Sequence, residues 1–200
     1  MIVSAIFRSA STQYCYKLAN DLGLSFVDEV FDPLNDDILR MKRLNHEFSE
    51  ILRELPKKNS LDFKMRLWHD HSGYVLNNHN YDIPWFEKAD LFFSRKDLLG
   101  CLVSMNELIR RSSQPQENIW IYADWMRRWV EYVLSYAGNR PIVLAENLGY
   151  QFNYNSHQAS DFIISVFAKK MTSGLLSDWS NLTKSNAMTY QDVLNQYGRK

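Results

Sequence analysis

The first stretch of the chain combines a short apolar run with a loop of small and polar residues. Residues 2–7 are almost all apolar, and Arg8 ends the run. A run of this length predicts a buried strand. Residues 13–21 have a helical pattern, and Gly23 is a natural end for that helix because glycine adopts left-handed backbone angles without strain. A strand, a small-residue loop and a helix in this order are typical of the opening unit of nucleotide-binding α/β proteins.

The rest of the chain alternates between short apolar segments and longer segments with helical periodicity. Strands are predicted at residues 61–68, 90–94 and 142–145, and helices at residues 38–55, 96–111, 119–137 and 161–170. Helices between short strands favour a mainly parallel sheet, so we predict a three-layer α/β fold with helices on both faces of the sheet. The 200 residues are expected to form one domain, in which residues 172–200 are an unassigned lid or tail.

Charge and cysteine content exclude several classes of protein. Lys plus Arg and Asp plus Glu number 23 each, so no net positive charge favours binding to nucleic acid or to an acidic membrane. The 2 cysteines, Cys15 and Cys101, cannot build a disulfide framework or a Cys-rich metal site. No secretory leader and no run of about 18 apolar residues occurs, so we expect a cytoplasmic protein without a membrane span. Nothing in the sequence indicates an oligomeric state.

Residues 8–12, Arg-Ser-Ala-Ser-Thr, have the composition of an anion-binding loop. Phosphate binding requires backbone N–H groups that converge at a helix N-terminus, and a nearby cation strengthens it. Small side chains let the backbone approach the anion, and Arg8 supplies two donors for one anion. The Gly-x-x-x-x-Gly-Lys-Ser/Thr motif is absent, which excludes an ordinary ATPase or kinase loop of that type. On spacing alone, the segment fits a strand-to-helix turn capped by Ser9 or Ser11 equally well.

The same loop resembles the donor-binding loop of the sulfotransferases, which reads approximately Pro-Lys/Arg-Ser-Gly-Ser/Thr-Thr. In this chain Phe7 replaces the proline and Ala10 replaces the glycine. The resemblance implies a P-loop-type sulfotransferase fold that binds the 5'-phosphosulfate end of 3'-phosphoadenosine 5'-phosphosulfate (PAPS). It assigns this contact to Arg8, Ser9, Ala10, Ser11, Thr12 and Gln13. Since alanine is strained at positive φ, we expect Ala10 to keep a negative φ.

A second segment is similar to the part of sulfotransferases that holds the 3'-phosphate of the donor. In that family an arginine at a strand end and a serine on the following helix bind this group. Here Arg95 follows the apolar residues 91–93, and Ser104 lies nine positions further on, in a predicted helix. Residues 142–148 resemble a later family strand that ends in Tyr-Glu-Asp-Leu. The resemblance implies PAPS as donor and 3'-phosphoadenosine 5'-phosphate (PAP) as product, although the family's C-terminal Arg-Lys-Gly loop has no match.

Sulfuryl transfer requires an in-line attack by an acceptor hydroxyl and a base that takes its proton. Carbohydrate sulfotransferases use a glutamate soon after the first helix, so the resemblance implies Glu29 as the base and a carbohydrate as an expected acceptor. His69 is the second candidate, since histidine exchanges protons near neutral pH. Lys64 is expected to add positive charge. No metal is expected, because His69 and His71 alone fall short of the three protein ligands of a catalytic zinc site.

Two other functions stay open on the sequence. A different P-loop nucleotide enzyme, such as a kinase, would share the strand, loop and helix, although the missing lysine motif and the pair of Arg95 and Ser104 argue against it. A non-catalytic relative that binds a nucleotide or a partner would be consistent with Phe7, with Ala10 and with the missing C-terminal loop.

Overall fold

Five short strands form one sheet in the computed structural model, which describes residues 1–28, 69–79 and 87–198. The strands are β1 (Ile2–Ala5), β2 (Ser25–Asp28), β3 (Tyr74–Asn78), β4 (Leu91–Ser94) and β5 (Ile142–Leu144). Their order across the sheet is β2-β3-β1-β4-β5, and every neighbouring pair is parallel. The predicted α/β class is therefore confirmed, and the described sheet is entirely parallel.

Helices cover both faces of this sheet. Within the described ranges they are α1 (Ser11–Leu22), α2 (Leu98–Arg111), α3 (Asn118–Tyr136), α4 (Asp161–Lys170), α5 (Ser173–Asn186) and α6 (Tyr190–Tyr197). Buried side chains of α1 and α6 pack on one face, and those of α2 to α5 pack on the other. Three layers follow, as predicted for the fold class. None of the helices in these ranges is long and apolar enough to cross a lipid bilayer.

Right-handed crossovers explain which helix covers which face. The chain steps from β1 to β2 in one direction along the sheet and from β4 to β5 in the other. A right-handed crossover places its connection on opposite faces for steps in opposite directions. The helix α1, which connects β1 to β2, therefore lies on one face, and α2 and α3, which connect β4 to β5, lie on the other.

Trp129 anchors the layer that contains α2 to α5. Its side chain is fully buried, and the indole N–H donates a hydrogen bond to Ser4 Oγ over 3.2 Å. A buried indole needs such a partner for its single donor. The ring also contacts Phe92 of β4 and Trp179 of α5 edge to face, with centroids 6.4 Å and 5.6 Å away. One side chain thus joins α3 to the central strand, to β4 and to α5.

The C-terminal residues join both layers. Ala187 pairs with Ile142 in a parallel bridge at the edge of β5, between α5 on one face and α6 on the other. Tyr190 donates its hydroxyl hydrogen to Asp21 Oδ2 (2.6 Å), near the C-terminal end of α1. Tyr197 donates to the carbonyl of Asp90 (2.9 Å), just before β4. These contacts lie at the amino edge of the sheet, away from residues 8–12.

The sequence pattern does not predict β2 or β3. β2 contains two apolar residues between polar neighbours, and β3 ends in Asn77 and Asn78, a residue type that is depleted in strands. Both asparagines are fully buried because β3 lies between β2 and β1. For β3, pairing on both sides overrides the weak local preference, and β2 pairs with β3 at the edge of the described sheet. The predicted helix at 38–55 and the predicted strand at 61–68 lie outside the described residues.

Candidate functional site

The loop at residues 6–10 lies at the carboxyl end of β1, the central strand of the sheet. In open α/β sheets, ligands bind in the crevice outside the carboxyl ends of the strands. The hydroxyl of Ser9, which is fully buried, donates to the Ile6 carbonyl over 2.7 Å and closes the turn. The chain then enters α1 at Ser11. The predicted strand, loop and helix are therefore present, and the loop lies at the edge of the sheet where ligands of such folds bind.

Two residues of the loop have left-handed backbone angles. Arg8 has φ 60° and Ala10 has φ 66°, so the expectation of a negative φ at Ala10 is wrong. Ala10 keeps the geometry that a glycine would adopt there, because the chain must turn sharply between β1 and α1. Turns of this kind direct successive backbone N–H groups into a concavity that binds anions. Among the described residues, none accepts a hydrogen bond from the backbone N–H groups of residues 8–12.

We expect Ala10→Gly to stabilise the protein, because glycine adopts φ 66° without the steric cost that alanine has there. The larger entropy of glycine in the unfolded chain offsets part of the gain, which leaves a net increase of about 1 kcal/mol in the free energy of unfolding. Chemical denaturation measures this value. Ala19→Gly, inside α1, is the control and should instead destabilise the protein by more than about 1 kcal/mol, because the low helix propensity of glycine adds to the loss of a buried methyl group. A destabilised Ala10→Gly variant would contradict the assigned backbone conformation.

Arg8 points toward α2. Its Nε donates a hydrogen bond to Ser104 Oγ over 3.0 Å, which joins positions 96 residues apart. The residue as a whole is exposed, but desolvation of its guanidinium by nearby protein atoms lowers its pKa, and the charges of Arg95 and Arg111 also lower it. The guanidinium groups of Arg95 and Arg111 thus lie within electrostatic range of that of Arg8. Carboxylates compensate two of these cations, because Arg95 lies near Asp97 and Glu146 and Arg111 pairs with Glu107 over 2.7 Å. Arg8, whose hydrogen bond goes to the neutral Ser104, is left as the cation for an anionic ligand.

Arg95, the predicted ligand of the 3'-phosphate, is 1 % exposed. Its Nη2 donates to the Tyr154 carbonyl (3.0 Å) and to Asn155 Oδ1 (3.1 Å). The ring of Phe152 lies 3.8 Å from the guanidinium carbon and covers one of its faces. The backbone segment that contains these three residues therefore separates Arg95 from solvent.

Two carboxylates compensate the buried charge of Arg95. Asp97 Oδ2 lies 3.6 Å from Nη2, and Glu146 Oε1 lies 3.7 Å from Nε. Nε and Nη1 have no hydrogen-bond acceptor in the described structure. A Cβ at Gly100 would lie 2.6 Å from Nη2, so glycine is needed for the close approach of α2. Ser104, which the resemblance places with Arg95 at the 3'-phosphate, instead accepts a hydrogen bond from Arg8.

Sequence reasoning missed a cluster of polar side chains beside the loop. Five residues form this edge cluster, and they lie at the start of α1 and at or just after the carboxyl ends of β2 and β3: Ser11, Thr12, Asp28, Asn77 and His79. Asn77 Nδ2 donates to Asp28 Oδ1 over 2.6 Å, and both residues are almost fully buried. Thr12 Oγ1 lies 3.3 Å from Asp28 Oδ2. Asn77 Oδ1 is buried and has no hydrogen-bond partner within the described ranges.

The contacts of His79 define its tautomer. Its Nδ1 lies 2.9 Å from the carbonyl oxygen of Ala5, which can only accept a hydrogen bond. Nδ1 therefore carries a hydrogen, and neutral His79 presents Nε2 as an acceptor. Nε2 lies 3.2 Å from Ser11 Oγ and 3.5 Å from Asn77 Nδ2. An imidazole that is oriented in this way, with an acceptor nitrogen directed at neighbouring polar side chains, has the arrangement of a general base.

Two of the other predicted site residues, His69 and Gln13, lie within the described residues, and neither contacts this cluster. Glu29 and Lys64 lie outside the described residues. His69 is exposed and precedes β3, and the carbonyl of the nearby His71 accepts a hydrogen bond from the N-terminal amine of Met1. This is the amino edge of the sheet, opposite the loop, so the geometry does not support His69 as a base. Gln13 is exposed on the first turn of α1. A signal for His79 was present, as it directly follows a short apolar run and two asparagines.

Neither cysteine is a candidate nucleophile. Both Cys15 and Cys101 are fully buried. Burial raises the pKa of Cys101 to about 12 and raises that of Cys15 well above its ordinary value. Thiols are weak nucleophiles when they are protonated, so both cysteines are inert at neutral pH.

Comparison with protein-family models, with characterised proteins and with solved structures finds no match to this chain. The function therefore has to be inferred from the loop, the edge cluster and the arginines.

Proposed function

We propose that this protein transfers a sulfuryl group from PAPS to a hydroxyl acceptor. The observation that carries the proposal is the hydrogen bond of 3.0 Å between Arg8 and Ser104. These residues belong to two separate motifs, and the resemblance to sulfotransferases assigned both motifs to one donor. A ligand that carries a 3'-phosphate and a 5'-phosphosulfate on one ribose requires such neighbouring sites.

The loop supplies what the 5'-phosphosulfate end of the donor requires. The N–H groups at residues 8–12, which have no acceptor within the described part of the chain, and the N-terminus of α1 offer donors and a positive dipole to an anion. Arg8 adds a planar cation with several donors. These groups would stabilise the charge that develops on the moving sulfuryl group and on the leaving phosphate.

His79 is the proposed general base in place of Glu29. The acceptor hydroxyl oxygen attacks the sulfur atom, and its proton moves to His79 Nε2. The bond from sulfur to the bridging oxygen of the 5'-phosphate breaks, and PAP leaves with the electron pair of that bond. The hydrogen bond from His79 Nδ1 to the Ala5 carbonyl orients the ring and stabilises the imidazolium that forms.

The edge cluster also supports an acceptor that is rich in hydroxyl groups. The Asp28 carboxylate and Asn77 Oδ1, which has no partner among the described residues, are hydrogen-bond acceptors. Such atoms are satisfied by O–H or N–H donors rather than by another carbonyl or by an anion. A carbohydrate hydroxyl beside His79 meets this requirement.

One observation favours a second candidate function. Arg95 is 1 % exposed and is compensated by Asp97 and Glu146, so a 3'-phosphate reaches it only after residues 152–155 move. A nucleotide enzyme that recognises 5'-phosphates alone, such as a kinase, would not need that site.

Calorimetric titration separates the two candidates. We expect purified protein to bind PAP more tightly than adenosine 5'-monophosphate and more tightly than ATP. The difference between PAP and the monophosphate isolates the contribution of the 3'-phosphate. Preference for ATP would favour the second candidate, and no binding of any of the three nucleotides would contradict both.

A further inference from the structure

Ser11 has two possible hydrogen-bond partners in the proposed reaction, but it has a single hydroxyl hydrogen. Because His79 Nδ1 donates to Ala5, Nε2 accepts, and the contact of 3.2 Å with Ser11 Oγ is a hydrogen bond from the serine to the histidine. In the free protein this bond holds the lone pair that a general base requires. His79 is therefore oriented for catalysis, while its basic atom accepts a hydrogen bond from Ser11. Asn77 Nδ2 lies 3.5 Å from the same nitrogen but only 2.6 Å from Asp28 Oδ1, so its shorter hydrogen bond goes to Asp28.

Ser11 is also the first residue of α1 and lies within the anion-binding loop. An anion at this helix N-terminus is a stronger hydrogen-bond acceptor than a neutral imidazole, since charge-assisted bonds are roughly twice as strong as neutral ones. A 5'-phosphosulfate bound here would compete with His79 for the Ser11 hydroxyl. The competition requires only rotation about the Cα–Cβ bond of the serine, because its backbone stays in the helix.

We propose that Ser11 is a positioning residue that couples donor binding to the release of His79 Nε2. This inference rests on the proposed function. With the loop empty, Ser11 holds the base. With a donor bound, the Ser11 hydroxyl turns to the anion, and Nε2 becomes available to the acceptor hydroxyl. The base is thus available mainly when the group to be transferred is in place, which predicts that the donor binds before the acceptor.

Nitrogen NMR of the histidine side chains tests this coupling without an acceptor. The protein is labelled with ¹⁵N in its 5 histidines, and the spectrum of His79→Gln identifies the His79 signals. In the free wild-type protein, we expect the Nε2 signal at the position of a hydrogen-bonded acceptor nitrogen. Saturation with PAP should shift the Nε2 signal in the direction expected when the nitrogen loses its hydrogen bond from Ser11. In Ser11→Ala, the signal should already have moved in the free protein, and PAP should change it little.

Two further variants control for structural effects. Ser11→Thr keeps the hydroxyl and should behave as the wild type. Ser173→Ala removes the exposed serine that begins α5 and should leave the His79 signals unchanged. If calorimetry finds PAP bound but the wild-type Nε2 signal does not move, the coupling is wrong and the proposed function stands. An equal PAP response in Ser11→Ala also overturns the coupling. Absence of PAP binding overturns the proposed function, and the coupling with it.

Discussion

Arg8→Ala should weaken the binding of PAP by about 10- to 100-fold. Arg8 is the only cation within the turn at residues 6–10, and its guanidinium has donors beyond the Nε that bonds Ser104. Loss of a charge-assisted hydrogen bond to a phosphate costs about 1.5–3 kcal/mol, which corresponds to this change in Kd. Calorimetric titration with PAP measures it directly.

Two further variants test whether the loss of PAP affinity is specific to the guanidinium group of Arg8. Arg8→Lys keeps the charge but loses the planar fork, so its affinity for PAP should fall between those of the wild type and Arg8→Ala. Arg128→Ala removes an exposed arginine that pairs with Asp124 on α3, and it should bind PAP as the wild type does. If Arg8→Ala retains full affinity for PAP while its fold is intact, Arg8 does not belong to the donor site.

His79→Gln should reduce sulfuryl transfer by about 100-fold or more while it leaves the affinity for PAP nearly unchanged. A positioned general base contributes about 100- to 10,000-fold to the rate, and glutamine keeps polar atoms in that position without the ability to take a proton. Radiolabelled PAPS incubated with a pool of carbohydrate acceptors reports the transfer as label that leaves the nucleotide. Titration with PAP reports the affinity separately.

His157→Gln is the control for this substitution, because His157 is exposed in the short 3-10 turn Ser156–Gln158, outside the edge cluster. It should transfer the label at the wild-type rate. Transfer that survives in His79→Gln would move the base to another group, and Asp28→Asn would then be the variant to test, since Asp28 is the carboxylate of the same cluster.

Local patterns in the sequence were sufficient to predict much of the fold. The run at residues 2–7, the glycine at position 23 and the helical periodicity of residues 161–170 each depend on neighbours within one or two turns of chain. β1, the end of α1 at Gly23 and α4 (Asp161–Lys170) follow these patterns closely. The alternation of strands and helices was likewise enough to predict a three-layer α/β fold with a parallel sheet.

The candidate site itself depends on contacts between distant positions. Asp28 meets Asn77 across 49 residues, His79 meets Ser11 across 68, and Arg8 meets Ser104 across 96. No periodicity encodes such pairs, because they arise only when parallel strands place their carboxyl ends at one edge of the sheet. The left-handed angle at Ala10 has the same origin, since the turn into α1 imposes it against the preference of alanine. The sequence alone determined the layers and the loop, while the tertiary structure decided which side chains meet there, because strand order and register are properties of the assembled sheet.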